Sequence, residues 1–472
     1  MARISTAPIK GARDFLPRDL APRNRVFQLM RDTFERYGYE PLETPAIEHS
    51  SVLEGKYGEE GERLLFRILK NGRDLETAAS ELLAQGFGAE RSAGAVARAV
   101  SEMALRYDLT VPMARVIAAR QNDIVTPFRR YQMQPVWRGD RPQRGRYREF
   151  YQCDVDCVGS RSMTVDAEMV AIHHEVFARL GFQTFVTQVS HRGLLDALME
   201  ASGVAPEQRV AARVQIDKFD KIGADGVRVE LQRIGLSDRV TDALLEALSV
   251  TGAPLDMLEA LRPLLRETQQ GETSIRELQA VFGYIRALGV PQERYELRLS
   301  MVRGSDYYTG SIYETVLPGS GLGTLGAGGR YDKLVGMFLG RDIPAVGISF
   351  GVERILVAME DAGLLAGGAI TTTQALVTLF DAETTGASFA LAQALRAAGV
   401  RTEVYPEPKG PGPQLAFASK KGIPLAFIIG PDEAARGEVK LRDLRTREEF
   451  TIPQAEAPAQ ALARLAEQVA SA

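Results

Sequence analysis

The spacing of apolar residues changes repeatedly along the chain, and each change marks an element. After the loop GARDFLP, a helical pattern runs from Pro22 to Tyr37. The stretch YEPLETPAIE is extended, because Pro41 and Pro45 limit helix. Leu75 to Ser101 turns to alanine, glutamate and leucine, which predicts one or two helices between the strand-like segments FRILKNG and ALRYDLTVP. Phe128 to Val158 predicts two strands joined by the charged loop RGDRPQRGR, and a helix follows from Val165 to Leu180. Gly193 to Leu288 is mostly helical by period. Strands return in YELRLSMV and SIYETVL. The next helix contains GVERILVAMEDAG, with Val352, Ile355, Leu356 and Met359 as its apolar stripe and Gly363 suited to its end.

Gly363 to Thr373 is small and polar, as a linker would be. Beyond it, strand and helix alternate: QALVTLF, ALAQALRAAG, RTEVYP, PQLAFASKKG, LAFIIG. That alternation predicts a compact α/β domain of roughly 100 residues with a parallel core. No internal repeat of the solenoid kind is evident.

The segment with the most chemistry is Arg146 to Cys157, RYREFYQCDVDC. On a strand, alternate residues share a face. One face would carry Arg146, Arg148, Phe150, Gln152, Asp154 and Asp156, and the other is mostly core-like. Two readings fit. One is a surface strand of mixed charge, common on antiparallel sheets. The other is a binding face for a ligand with phosphates at one end and an amine or imidazole at the other. Arginine forks match phosphate oxygens, an aromatic ring stacks on a base, and amide and carboxylate groups receive N–H donors.

Bulk properties narrow this only a little. A chain of 472 residues can hold two to four domains, and 45% hydrophobic with 25% charged residues is ordinary for a globular protein. The net charge of -4 means that any RNA contact must come from local basic patches. Cys153 and Cys157 are too few for a disulfide scaffold, and no other Cys or His lies near enough to complete a zinc site, so two buried thiols are expected. Met1 to Lys10 lacks a signal-peptide pattern, and no apolar run approaches the ~20 residues of a membrane span. A cytoplasmic enzyme is the expectation. GLGTLG, Gly321 to Gly326, matches the dinucleotide pattern GxGxxG, but no clean helix start follows it. It reads as a turn between strands.

Several segments together resemble the class II aminoacyl-tRNA synthetases, and among them the histidine–tRNA ligases. They are GARDFLP, YGYEPLETPAIE, ALRYDLTVPMAR, FRRYQMQPVWRGDRPQRGRYREFYQCDVD, VRGSDYYTGSIYET, GAGGRYDKLVG and PAVGISFGVERIL. The pairing of RGSDYYTG with GGRYD is the most specific part. The resemblance implies an α+β catalytic domain on an antiparallel sheet, a helical insertion domain, and a C-terminal α/β anticodon-binding domain. The boundaries it implies are 1–192 with 289–365 for the catalytic domain, 75–101 and 193–288 for the insertions, and 373–472 for the anticodon domain. It also implies a homodimer with Pro45 near the interface.

The same resemblance implies roles. Histidine and ATP would react to histidyl-adenylate, and the histidyl group would pass to tRNA(His). Two anions must approach, so cations would offset their repulsion. Arg138 and Arg303 would be those catalytic cations, both also touching histidine. Arg138, Arg146, Phe150 and Arg354 would bind ATP. Mg²⁺ would come with the ATP, held by phosphate oxygens and water, with no protein-ligated metal. Asp108, Thr110 and Gln152 would take the α-ammonium group, while Asp156, Tyr308 and the adjacent Tyr307 would read the imidazole. Arg141 and Arg144 would meet the tRNA acceptor stem. Lys409, Lys420 and Lys421 are possible phosphate contacts, although solvated surface is the plainer reading of each.

Ser305 stands where leucine is common, and Lys333 where glycine or asparagine is common. The 75–101 insertion precedes the DLT strand and bears on access to the pocket. The main rival is a non-catalytic regulatory relative serving histidine biosynthesis. Such relatives typically lack the anticodon domain and lose parts of RGxDYY, and this chain retains both.

Overall fold

The computed structural model describes residues 4–84, 93–302, 307–365 and 370–470. The chain divides into two compact units: Met1–Arg13 with Phe27–Leu364, and Asp14–Val26 with Leu365–Ala472.

The first unit is built on an eight-stranded sheet. Its order is Glu40–Pro41, Phe128–Trp137, Glu149–Val158, Ala345–Gly351, Thr324–Arg330, Ser311–Val316, Val186–His191 and Tyr295–Leu297. The five central pairings are antiparallel, and only the two outermost are parallel. The two long strands are neighbours over their full length, with Arg130 opposite Asp156, Gln132 opposite Asp154 and Gln134 opposite Gln152. One face of the sheet is apolar. There the Met163–Arg179 helix lays His173 edge-on to Phe350 at 4.9 Å and Phe177 at 6.0 Å from the same ring. Phe34, from the Pro17–Arg36 helix, packs on Phe350 and Tyr131 at 5.8 and 5.7 Å. Large buried rings of this kind contribute most of the burial energy in such a core.

The helices foreseen between the strands form. Gly72–Ala84 and Ala93–Val100 flank residues outside the described set. Five α-helices, Arg192–Ala201, Arg209–Ile216, Phe219–Arg233, Asp238–Leu248 and Pro254–Leu265, precede the sixth, Gly271–Ala287. GLGTLG is a turn running into the Thr324–Arg330 strand, so it forms no dinucleotide loop.

The strand expected from Arg146 begins instead at Glu149. Gln143 and Arg146 exchange both backbone hydrogen bonds and close a tight turn. Gly145 adopts φ +74° there, which suits glycine at the third position of a turn. Arg146 therefore sits at a hairpin tip rather than in the ladder.

The second unit has a five-stranded sheet: Thr402–Val404, Ala375–Val377 and Leu425–Ile428 run parallel, as expected. The hairpin Glu438–Asp443 and Glu449–Pro453 adds two antiparallel strands that the alternating pattern did not include. Val377, Leu395, Phe427, Leu441 and Ala461 share its core.

Candidate active site

A cavity of about 270 Å³ opens on the polar face of the large sheet. Asp108, Thr110, Arg138, Arg146, Phe150, Gln152, Asp156, Tyr307, Tyr308 and Arg354 all line it, although their numbers span most of the first unit. Arg303 and Ser305 lie outside the described residues.

At one end stand the cations. The Arg138 Nε–H donates to the Tyr107 carbonyl at 3.0 Å, and its guanidinium lies 4.3 Å from the Tyr107 ring and 5.2 Å from the Phe150 ring. Arg354, in the first turn of the Val352–Asp361 helix, donates to the Thr324 carbonyl at 2.9 Å. Two guanidinium groups with fixed stems thus border an aromatic ring, an arrangement suited to a nucleotide's phosphates and base. Arg146 is exposed, 3.9 Å from Asp140. Arg141 is exposed, and Arg144 forms a two-point pair with Asp361 at 2.6 and 3.1 Å.

At the other end stand acceptors. The buried Asp108 carboxylate accepts the Val111 backbone N–H at 3.1 Å and the Tyr57 hydroxyl at 2.9 Å. It thereby caps the Thr110–Ala119 helix, where negative charge is favoured. Burial pushes its pKa up against the opposing pull of the Val111 N–H and Arg138. Gln152 donates to the Ser349 hydroxyl at 2.9 Å, while its carbonyl oxygen is buried with no hydrogen-bond partner among the described residues. Asp156 accepts the Tyr331 hydroxyl and lies 2.8 Å from the buried Arg130 guanidinium. Burial raises its pKa, and Arg130 and Tyr331 counter that rise.

Glycine keeps this end open. Gly347 is the register partner of Asp156, and a Cβ there would overlap the Asp156 carboxylate. Gly328 lies against Gly347 just as closely, so strands with side chains at these positions would fill the cleft.

Four contributors were not singled out from the sequence. Arg130 sits beneath the site between Asp156 and Asp154. Asp154, placed on the correct strand face but assigned no role, lines the cavity. Tyr57 donates to Asp108. Glu353 accepts the Tyr151 backbone N–H at 3.2 Å and lies 3.8 Å from Arg13 of the GARDF segment. A polar stripe opposite an apolar one in RRYQMQ was the available signal for Arg130. Cys153 and Cys157 are buried thiols, and burial pushes Cys157 up to about 11. Among the described residues, no group of three or more metal-ligating side chains converges.

A family model described as histidyl-tRNA synthetase matches residues 11–79 and 79–355. The chain belongs to the histidyl-tRNA synthetase family. A second model, described as an anticodon binding domain, matches residues 374–464. The histidine–tRNA ligase of Gloeobacter violaceus is 42% identical over 468 residues, covering 95% of this chain and 96% of that protein. The histidine–tRNA ligase of Cytophaga hutchinsonii is 40% identical over 443 residues, with 94% and 96% covered. The crystal structure of histidyl-tRNA synthetase from Nostoc sp. PCC 7120 superposes with a TM-score of 0.85 at 32% identity, covering 98% of this chain and all of that one (100%). An ATP phosphoribosyltransferase regulatory subunit/histidyl-tRNA synthetase from Bacillus halodurans shares the fold, with a TM-score of 0.71 at 23% identity over 91% of this chain and 99% of that one. The fold is therefore the family's: an α+β catalytic domain on a largely antiparallel sheet, a helical insertion and a C-terminal α/β anticodon-binding domain.

Proposed function

We propose that this cavity joins L-histidine to ATP and that the chain then passes the histidyl group to tRNA(His). The observation that carries the reading is one cleft with guanidinium groups and an aromatic ring at one end and buried acceptors at the other. In the first step a histidine carboxylate oxygen bonds to the α-phosphorus and the bond to the bridging oxygen breaks, releasing pyrophosphate. The carboxylate is already ionised, so the step needs positioning and charge rather than a general base. Arg138, with Arg303, offsets the negative charge. Arg146 meets the γ-phosphate, Arg354 contacts the phosphates or adenine, and Phe150 stacks on adenine. Asp108, Thr110 and Gln152 take the α-ammonium group. Asp156 and Tyr308, with Tyr307 beside them, read the imidazole. A polar site of this kind discriminates strongly against apolar amino acids, whose binding would leave buried groups unpaired.

Mg²⁺ fits as an ion carried by the ATP. Glu353, beside Arg354, already serves the Tyr151 N–H and Arg13, so phosphate oxygens and water would supply most of the ion's ligands. Arg141 and Arg144 face the acceptor stem, and residues 373–472 read the unpaired anticodon bases. We assign 1–192 with 289–365 to the catalytic domain, and 75–101 and 193–288 to the insertions. The working form is a cytoplasmic homodimer. Among the described residues no helix is long and apolar enough to cross a membrane.

The test is histidine-dependent exchange of pyrophosphate into ATP, with other amino acids as controls, followed by charging of tRNA(His). Exchange with histidine alone is expected. Histidine binding without exchange would favour the regulatory relative instead.

A further inference from the structure

The hairpin tip at Gln143–Arg146 needs support from elsewhere in the chain. Arg141, Arg144 and Arg146 stand exposed around one tight turn, and like charges at such distances repel. From residue 139 to residue 148 only Gly145 is buried, so the tip has no apolar core of its own. One side of it rests on Arg354: a Cβ added at Gly145 would come within 3.2 Å of the Arg354 Cγ.

The other side rests on the start of the GARDF segment. The Ala12 N–H donates to the Ile9 carbonyl at 3.0 Å and closes a turn, from which the Gly11 carbonyl accepts the Arg148 backbone N–H at 2.8 Å. Gly11 has φ +92°, and an added Cβ would overlap the Arg148 and Pro142 side chains at 2.7 and 2.9 Å. The backbone reaches the hairpin only because this residue has no side chain. Two residues on, the Arg13 guanidinium lies 3.3 Å from the centre of the Tyr147 ring and 3.8 Å from the Glu353 carboxylate. Tyr147 and Glu353 line the cavity, and Arg13 does not. Glu353 is 4% exposed, so a cation beside it offsets a charge that burial would otherwise penalise. A planar guanidinium can serve the ring and the carboxylate together.

Resting on the ATP-dependent reading above, we propose that Arg13 is a positioning residue for the nucleotide, which clamps Tyr147 of the hairpin to Glu353 of the Val352–Asp361 helix so that Arg146 and Arg354 face one phosphate chain. Each phosphate arginine is the chain neighbour of a clamped residue, Arg146 of Tyr147 and Arg354 of Glu353. A slip of about 1 Å between hairpin and helix would part the two guanidinium groups, and misplacement on that scale is costly to a reaction that depends on positioning. The histidine end is held by a separate set of contacts, Asp108 by Tyr57 and Val111, and Asp156 by Tyr331 and Arg130. The clamp therefore acts on ATP and leaves histidine binding alone.

The test compares Arg13→Ala, Arg13→Lys and Gly11→Ala in the full chain, by pyrophosphate exchange at varied ATP and at varied histidine, with thermal melts in parallel. Arg13→Ala should raise the KM for ATP about 5- to 30-fold and keep the KM for histidine within about 3-fold. Its Tm should stay close to wild type, because the side chain is 32% exposed. Arg13→Lys keeps the charge without the planar face and should fall between the two. Gly11→Ala pushes the segment off the hairpin by another route and should give the same split. In a Tyr147→Ala background, Arg13→Ala should add less than it does in wild type, since partners in one contact are not additive. A wild-type KM for ATP in Arg13→Ala would overturn the proposal while leaving histidine activation intact. So would an equal rise in both KM values with a lowered Tm, or full multiplication of the Arg13 and Tyr147 effects. No histidine-dependent exchange by the wild-type chain would remove the underlying reading and this proposal with it.

Discussion

Arg130 and Asp156 meet as a buried ion pair across the two longest strands of the catalytic sheet. They are register partners, and the guanidinium comes within 2.8 Å of the carboxylate. Arg130 also donates to Gln132 at 3.2 Å and to the Leu109 carbonyl at 3.5 Å, at the entry to the Thr110–Ala119 helix. One side chain thus joins the carboxylates of the ring end to the segment that carries Asp108 and Thr110.

Removing that cation should be severe. Arg130→Met leaves two buried carboxylates without a counter-charge, and breaking such a pair from one side costs about 3–5 kcal/mol. Urea denaturation at pH 8 would show the loss, with partial recovery at pH 5 as the carboxyls take up protons. A variant within about 1 kcal/mol of wild type at pH 8 would mean that water reaches the pair, contrary to its burial.

The pH dependence of stability follows from Asp154. Burial is the main cause that pushes its carboxyl up to about 7, and the nearby Asp156 adds to the rise while Arg130 opposes it. In an unfolded chain an aspartate titrates near about 4. Between those pH values the folded protein holds a proton that the unfolded chain releases. Stability from this group is therefore full below about 4 and is lost as pH rises toward about 7. Asp154→Asn has no such titration. Its melting temperature should stand above that of wild type at pH 8, and the gap should shrink toward pH 5 in the absence of histidine. Parallel curves for the two proteins would count against the buried, ligand-free carboxylate.

How much of this was legible beforehand depends on whether the signal is local. Gln152, Asp154 and Asp156 could be placed on one face because strand alternation is a property of neighbouring residues. Arg130 could not be tied to Asp156, since the register between two strands depends on the hairpin that joins them, and the position of its tight turn at Gln143–Arg146 within the charged loop is fixed by pairing across the turn. Glu353 looked like a polar position on an amphipathic helix. Its burial arises only because that helix starts directly at the end of the Ala345–Gly351 strand, beside the Tyr151 N–H. Tyr57 and Asp108 are 51 residues apart, and no local pattern links them. The helical segments were legible by period, whereas the antiparallel hairpin closing the C-terminal sheet rests on pairing between two short strands.

Two glycines should respond in opposite directions to the same added methyl group. At Gly347 a Cβ would overlap the Asp156 carboxylate and come within 2.8 Å of the Val155 carbonyl. Gly347→Ala should destabilise by about 1–3 kcal/mol through overpacking and abolish histidine-dependent exchange. Gly283 sits inside the Gly271–Ala287 helix with nothing within 4 Å of the same added atom. Gly283→Ala should stabilise by about 0.5–1 kcal/mol. Thermal melts decide both, and a tolerated Gly347→Ala with full exchange would show that the cavity floor yields.

Arg144 provides a way to separate the two half-reactions. Its guanidinium is exposed at the hairpin tip and pairs with Asp361 through two contacts. Solvent and salt weaken such a pair, so Asp361 can yield to a phosphate that offers a stronger two-point contact. Neither group lines the cavity that would hold histidine and ATP. Arg144→Ala should therefore leave the Tm and pyrophosphate exchange unchanged and raise the KM for tRNA in the charging reaction. Asp361→Asn frees the same arginine and should leave charging unimpaired or lower that KM at low salt. If Arg144→Ala reduced exchange and charging to the same degree, the hairpin tip would act on the ATP site rather than on the RNA.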